Sequence, residues 1–168
     1  MSTWLEMVNK IKARPPEDLL MESQRTALNE VSSVIRFPAW MNVYGDIGVG
    51  KTFLAWAIER ATGAAYLATP ELLEELALEQ EALIIDNAPF QETEVRRILA
   101  RCDLLQVNTA ILISRNPISM PIRRVEVSAP SSDDLKLIIR SLGRLGYVCE
   151  QHLLPKTPNL WDVLYACV

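Results

Sequence analysis

A glycine-rich segment over residues 45–52, GDIGVGKT, has the spacing of a phosphate-binding loop. Glycines in such a loop let backbone N–H groups surround phosphate oxygens without clashes from Cβ atoms. In this pattern the lysine contacts the β- and γ-phosphates, and the threonine hydroxyl binds Mg²⁺. The predicted nucleotide-binding residues are Gly45, Asp46, Ile47, Gly48, Val49, Gly50, Lys51, Thr52 and Phe53.

The carboxylate of Asp86 is a second chemical signal, because it ends the apolar run ALIID of residues 82–86. A carboxylate at the end of a buried strand can orient the Mg²⁺ shell, so Thr52 and Asp86 are the predicted metal residues. Asn87 follows, where many ATPases place a glutamate that polarises the attacking water. An amide orients water but cannot accept its proton. The sequence therefore predicts slow hydrolysis, help from another group, or ATP binding without hydrolysis.

Two further polar segments lie next to predicted strands, one directly after a strand and one directly before the last strand. The segment SRNP of residues 114–117 follows the end of a predicted strand. In a parallel sheet the carboxyl ends of the strands line the ligand crevice. Asn116 or Ser114 therefore either senses the γ-phosphate or shapes the turn. Arg123 and Arg124 precede the last predicted strand. One of them is either an arginine finger in a neighbouring subunit or an exposed edge residue. The predicted catalytic residues are Lys51, Asp86, Asn87, Asn116, Arg123 and Arg124.

The elements around these residues alternate between strands and helices. Strands are predicted over residues 40–44, 64–68, 82–86, 109–113 and 125–127. Helices are predicted over residues 2–11, 22–35, 52–58, 92–101, 131–145 and 159–167. The alternation indicates an α/β fold of the P-loop NTPase type, with a parallel five-stranded sheet flanked by helices. The predicted divisions are an N-terminal helix and linker (1–19), a nucleotide-binding core (20–129) and a short C-terminal helical lid (130–168).

Composition indicates one domain. The chain has 168 residues, of which 49% are hydrophobic, and a net charge of −4. A chain of this length and hydrophobic fraction can bury one core. The negative net charge argues against a protein whose whole surface binds nucleic acid. No signal peptide is predicted, and no apolar run is long enough to span a bilayer. Three cysteines lack metal-ligand spacing or a disulfide framework, so we expect a cytoplasmic protein without membrane contact.

In their order along the chain, these segments resemble those of AAA+ ATPases. They are most similar to the DnaA-type initiators and their relatives, the helicase loaders and DnaA-related regulators. The resemblance runs from about residue 20 into the tail, and residues 44–54 carry its most specific part. The other matching segments are 21–28 beside the adenine, 84–87 as Walker B, 114–117 as sensor 1 and 129–133 at the entry to the lid. The resemblance implies ATP or ADP and Mg²⁺ as ligands.

The departures from that pattern are equally informative. Asn87 replaces the second acidic residue of Walker B, and Trp161 stands near the position of the sensor 2 arginine. The stretch from Tyr66 to Asp86 leaves little room for the helical element that initiators and loaders use on single-stranded DNA. No duplex-reading domain is predicted after the shortened lid. The resemblance therefore implies a minimal nucleotide-switch module.

Two functions are compatible with these residues. The first is an ATPase or ATP-dependent switch that assembles with itself or another protein in a DNA transaction such as replication. Lys136, Arg140 and Arg144 share one helix face that either contacts nucleic acid or is only solvated. The second is a non-catalytic adaptor that retains nucleotide and acts by protein–protein contact. ATP is favoured over GTP because the guanine-reading motif Asn-Lys-x-Asp is missing from the sequence.

Overall fold

The computed structural model describes residues 4–13, 15, 17–76, 80–156 and 158–167. The strands in these ranges are β1 (Ala39–Tyr44), β2 (Ala65–Leu67), β3 (Ala82–Ile85), β4 (Thr109–Ser114) and β5 (Arg123–Glu126). The α-helices are α1 (Trp4–Ala13), α2 (Glu22–Val34), α3 (Lys51–Thr62), α4 (Glu92–Leu104), α5 (Ser132–Arg144) and α6 (Leu160–Ala166). None of the described helices is long and apolar enough to cross a bilayer.

The five strands form one sheet in the order β2-β3-β4-β1-β5, and every neighbouring pair is parallel. This confirms the predicted parallel five-stranded sheet with helices. In register, Tyr44 at the end of β1 lies beside Ser114 at the end of β4. Ile85 at the end of β3 lies beside Leu112 of the same central strand. The segments that follow β1, β3 and β4 therefore meet at one edge of the sheet.

Alternate residues of the central strands pack on opposite faces of the sheet. On β4, Ala110 and Leu112 join the cluster that includes α4, whereas Ile111 and Ile113 join the cluster that includes α2 and α3. This alternation follows from the two-residue period of side chains along a strand. All six residues of β4 are buried, because it is the middle strand and helices cover both faces. The predicted helices on both faces are confirmed.

The N-terminal helix packs against the lid. Met7 and Ile11 of α1 are buried in a cluster with residues of α5 and α6, among them Leu135, Ile138 and Val163. Helix α5 begins at the predicted N-cap Ser131, whose hydroxyl accepts the N–H of Asp134, and α6 begins with an analogous box between Asn159 and Asp162. Helix α1 therefore shares a core with α5 and α6.

The last strand begins earlier than predicted. Arg123 and Arg124 are its first two residues rather than residues before it, and they pair with Met41 and Asn42 of β1. Strand β5 lies at the edge of the sheet, and only Val125 of its four residues is buried. An edge strand tolerates charged side chains because much of it faces water. The apolar pattern of the sequence therefore predicted a shorter strand than β5 and missed its first two residues.

Two of the three cysteines face each other in the lid. Cys149 and Cys167 form an isolated antiparallel bridge that joins the segment after α5 to the end of α6, while Cys102 is a buried free thiol. This proximity is created by the folding of the lid and leaves no spacing motif in the sequence.

Asn42 is a fully buried polar residue of β1. Its Nδ2 donates to the carbonyl of Leu112 at 3.1 Å and to the hydroxyl of Ser114 at 2.8 Å. Its Oδ1 accepts the N–H of Ile118 at 2.9 Å. These bonds direct the chain as it leaves β4, and hence position the segment that the sequence singled out as a γ-phosphate sensor.

We expect Asn42→Ala to lower the free energy of unfolding by about 2–3 kcal/mol, because it leaves buried donors and acceptors without partners. Urea denaturation measures this change. Asn29→Ala, an equivalent truncation at an exposed position of α2, is the control and is expected to change stability by less than about 0.5 kcal/mol. Equal effects of the two substitutions would contradict the role given to Asn42.

Candidate nucleotide-binding site

The phosphate loop is held from outside through its carbonyl groups. The buried side chain of Gln24 in α2 donates to the carbonyls of Val49 at 3.0 Å and Gly50 at 3.1 Å. The backbone N–H of Leu160 donates to the carbonyl of Gly48 at 3.0 Å. In a trans peptide, the C=O of one residue and the N–H of the next point in opposite directions. The N–H groups of Val49, Gly50 and Lys51 therefore point away from Gln24 and Leu160, which is the arrangement that an anion-binding loop requires.

Two positions of the loop require glycine, because the backbone is left-handed there and a Cβ atom would collide with neighbouring residues. Gly48 has φ = 85° and Gly50 has φ = 75°, which is the left-handed region that glycine adopts without strain. A Cβ on Gly48 would lie 2.7 Å from Cγ of Asn159, and one on Gly50 would overlap the side chain of Leu160. Asn159 and Leu160 begin α6, so the last helix of the lid starts directly on the phosphate loop.

Lys51 is folded back onto the loop. Its Nζ donates to the carbonyls of Gly45 at 2.7 Å and Asp46 at 2.8 Å. Burial lowers the pKa of Lys51, the carboxylates of Asp86 and Asp46 oppose that shift, and the guanidinium of Arg115 adds to it. Arg115 was not among the predicted site residues, although it directly follows β4. Two cations close to one loop favour an anionic ligand there.

Asp86 is buried and accepts hydrogen bonds on both carboxylate oxygens. Its Oδ2 accepts the hydroxyl of Thr52 at 2.7 Å and that of Tyr66 at 3.0 Å, and its Oδ1 accepts the N–H of Asn87 at 2.8 Å. Burial and the neighbouring Asp86 carboxylate strongly raise the pKa of Tyr66, so this hydroxyl is a donor. The sequence did not single out Tyr66 as a site residue, because its link to Asp86 depends on strand pairing.

The oxygens of Thr52 and Asp86 fit Mg²⁺, which is a hard cation that prefers oxygen ligands. Mg²⁺ in nucleotide sites takes one or two protein oxygens and completes its shell with phosphates and water. Among the described residues, no group of three or more His, Cys, Asp or Glu side chains could hold a metal without such help. A metal at this position would therefore bind together with a nucleotide.

The backbone conformation explains why residue 87 is an asparagine. Asn87 has φ = 53°, a left-handed conformation that asparagine adopts more readily than most residues with a side chain. Its Nδ2 donates to the carbonyl of Ala68 at 3.0 Å, so its amide is directed to the end of β2. The water-orienting role of Asn87 stays a prediction.

Of the two candidate γ-phosphate sensors at the end of β4, one is hydrogen-bonded inside the protein and the other is exposed. Ser114 is buried, accepts a hydrogen bond from Asn42 and donates its hydroxyl to the backbone carbonyl of Asn116 at 2.7 Å. Because the hydroxyl of Ser114 is used inside the protein, it is poorly placed to contact a ligand. Asn116 is exposed, and its role as a sensor stays a prediction.

Arg123 and Arg124 lie away from the phosphate loop of their own chain. They begin β5, whereas the loop follows the opposite end of the neighbouring β1. Arg123 forms an ion pair with Glu30 at 2.8 Å, and Arg124 donates to the carbonyl of Met120 at 3.1 Å. An action on a nucleotide of a neighbouring subunit stays a prediction for both residues.

A cleft opens beside the loop between α1, α3 and the lid. Its polar end is formed by the loop with Lys51, Thr52, Asp86 and Asn87. The apolar walls are formed by Val8, Ile11, Leu19, Phe53, Trp56, Ile138, Leu160, Trp161 and Leu164. An apolar wall next to an anion-binding loop suits a ligand with a planar base and a phosphate tail. At the lid, Trp161 presents an indole where the resemblance places an arginine.

No protein-family model matches the sequence, and no curated protein matches it either. Among solved structures, AMPPCP-bound DnaA from Aquifex aeolicus is similar, with a TM-score of 0.55 and 19% sequence identity. The similarity covers 86% of this chain and 60% of that one, so this chain spans about three-fifths of its length. The likeness shows the fold, which is the AAA+-like P-loop NTPase fold that the sequence predicted.

Gly48→Ala is expected to loosen the lid, because its methyl group would collide with Asn159. Gly63→Ala is a matched control: Gly63 has φ = 77°, but a Cβ there would meet no atom within 4 Å. Both substitutions should lower stability by about 1–2 kcal/mol through backbone strain. Only Gly48→Ala should accelerate hydrogen exchange of the Leu160 amide, as measured by NMR. Equal exchange in both variants would show that the loop does not hold the lid.

Proposed function

We propose that this chain binds Mg·ATP at the phosphate loop and works as an AAA+-like ATPase or ATP-dependent switch in a DNA-transaction assembly of the replication type. One observation carries the nucleotide assignment: three loop carbonyls, those of Gly48, Val49 and Gly50, accept hydrogen bonds from Leu160 and Gln24, so the N–H groups that follow them point the other way, in the loop over which Lys51 folds. A similar solved structure holds AMPPCP, which supports the same class of ligand.

Each polar residue of the site has a part in this proposal. Lys51 would exchange the carbonyls of Gly45 and Asp46 for phosphate oxygens. Thr52 can keep its O–H bond to Asp86 while a lone pair of its hydroxyl faces Mg²⁺. The metal would neutralise charge on the phosphates. Binding therefore needs little rearrangement beyond the Lys51 side chain.

The contact between the lid and the loop supports a switch. Leu160 donates to Gly48, and Asn159 packs against the same glycine. A nucleotide that changes the loop at Gly48 would change a lid contact directly. A ligand shifts such an equilibrium only through its different affinity for the two states. ATP and ADP would therefore give different lid positions if they hold the loop differently.

The proposed partner is a second copy of this chain or another protein of the assembly. Arg123 and Arg124 lie on β5, an edge strand that pairs with β1 alone among the strands that the structure describes, and this edge is the proposed contact with a neighbouring subunit. The basic face on α5 is a weaker candidate for nucleic acid, because the chain as a whole carries a net charge of −4. We therefore propose a protein partner in preference to a nucleic acid.

One observation favours the second function, a nucleotide-retaining adaptor. The amide of Asn87 is bonded to the carbonyl of Ala68, and no carboxylate occupies that position to accept a proton from water. In this alternative, the chain would hold ATP intact and act through protein–protein contact.

Lys51→Ala is expected to weaken ATP binding at least about 10-fold, because a charge-assisted hydrogen bond to phosphate is lost. Isothermal titration calorimetry with Mg·ATP measures the affinity. Lys136→Ala removes a lysine from exposed α5 and should bind ATP as the wild type does. Unchanged affinity in Lys51→Ala would rule out the phosphate loop as the binding site.

A single-turnover assay with protein in excess over γ-labelled Mg·ATP separates the two functions. Phosphate release that is lost in Lys51→Ala would support the ATPase. Retention of intact ATP would support the adaptor. Excess protein is needed because an arginine acting between subunits works only in the assembled state.

A further inference from the structure

We propose that Tyr66, on edge strand β2, is a positioning residue of the magnesium site, whose hydroxyl fixes the Asp86 carboxylate for the Mg²⁺ of a bound nucleotide. This inference rests on the proposed function. It adds a residue that lies outside the phosphate loop and outside the strand that ends in Asp86.

The contact is made to the oxygen that Thr52 also uses. The hydroxyl of Tyr66 lies 3.0 Å from Oδ2 of Asp86, and that of Thr52 lies 2.7 Å from the same atom. The other oxygen accepts the backbone N–H of Asn87 at 2.8 Å. With three donors on two oxygens, rotation of the carboxylate would break at least one hydrogen bond. Tyr66 therefore helps to select the orientation in which Asp86 meets Thr52.

Strand β2 and the residue after it are tied to Asp86 and Asn87 by contacts with the two residues that follow Tyr66. Tyr66 pairs with Ile84 of β3 in register. The N–H of Asp86 donates to the carbonyl of Leu67 at 2.9 Å, and the amide of Asn87 donates to that of Ala68 at 3.0 Å. The Tyr66 hydroxyl is thus presented from a fixed backbone. This matters because an edge strand of three residues would otherwise be a poor support.

The chemistry of tyrosine suits this task. Its rigid ring carries one hydroxyl that can donate to a carboxylate, and its few rotatable bonds limit the entropy lost on ordering. Residues that orient metal-binding side chains typically change metal affinity 10–100-fold when they are removed. Phenylalanine at position 66 would retain the ring in its half-buried place and remove only the hydroxyl.

The test is a magnesium titration of ATP binding in Tyr66→Phe, with ATP affinity also measured in EDTA. We expect the Mg²⁺ concentration for the half-maximal effect to rise roughly 10-fold, with unchanged affinity in EDTA. Tyr44→Phe is the matched control, because its hydroxyl lies 3.4 Å from Glu126, a carboxylate other than Asp86. It should titrate as the wild type does.

A double-mutant cycle tests whether Tyr66 acts through Asp86. In an Asp86→Ala background, Tyr66→Phe should cause no further shift. The inference is overturned if Tyr66→Phe titrates within twofold of the wild type, or if it weakens ATP equally with and without Mg²⁺. A wild-type protein that binds no nucleotide overturns the proposed function and this inference with it. Magnesium-dependent binding that Tyr66→Phe leaves unchanged overturns the inference alone.

Discussion

The binding site depends on hydrogen bonds that satisfy the carbonyls of the phosphate loop from outside. Gln24 of α2 and the backbone of Leu160 in α6 supply these bonds. An unpartnered buried carbonyl costs about 1–3 kcal/mol, so the loop keeps the orientation in which its carbonyls are paired. The N–H groups that follow these carbonyls point the other way. The orientation of the loop peptides is therefore set by packing against two distant helices.

The same arrangement makes the N-terminal helix and the lid part of the site. Helix α1 shares a core with α5 and α6, and all three contribute apolar residues to the cleft. Because α6 begins at the loop, a change in the loop reaches the lid without an intermediate side chain. The side chain of Trp161 lines the cleft at this junction. Lid and loop meet through the hydrogen bond from Leu160 to Gly48 and through the packing of Asn159 on the same glycine.

The surroundings of Asp86 show a similar dependence on neighbouring strands. Asp86 ends β3, but β2 supplies the Tyr66 hydroxyl and the carbonyls that hold residues 86 and 87. Asn87 fits this setting because its backbone is left-handed and its amide reaches Ala68. The residue that separates this chain from many ATPases is thus accounted for by local structure. Its effect on hydrolysis is a separate question of chemistry.

The sequence by itself determined the parts of this protein that depend on local order. The spacing of residues 45–52 predicted the loop, apolar runs predicted the strands, and the predicted helix over residues 131–145 matches α5 with its N-cap at Ser131. These features depend on contacts within a few residues, or on a periodicity that burial enforces. The alternation of strands and helices then predicted the parallel sheet.

Only the tertiary structure decided which distant groups complete the site. The contacts of Gln24 with the loop and of Tyr66 with Asp86 cross 25 and 20 residues of sequence. The antiparallel bridge between Cys149 and Cys167 crosses 18 residues, and the charge of Arg115 acts on Lys51 from the end of another strand. Strand β5 was predicted too short because an edge strand carries charged residues in place of an apolar pattern. Such contacts leave no motif, since a hydrogen-bond partner is selected by position in space and not by separation along the chain.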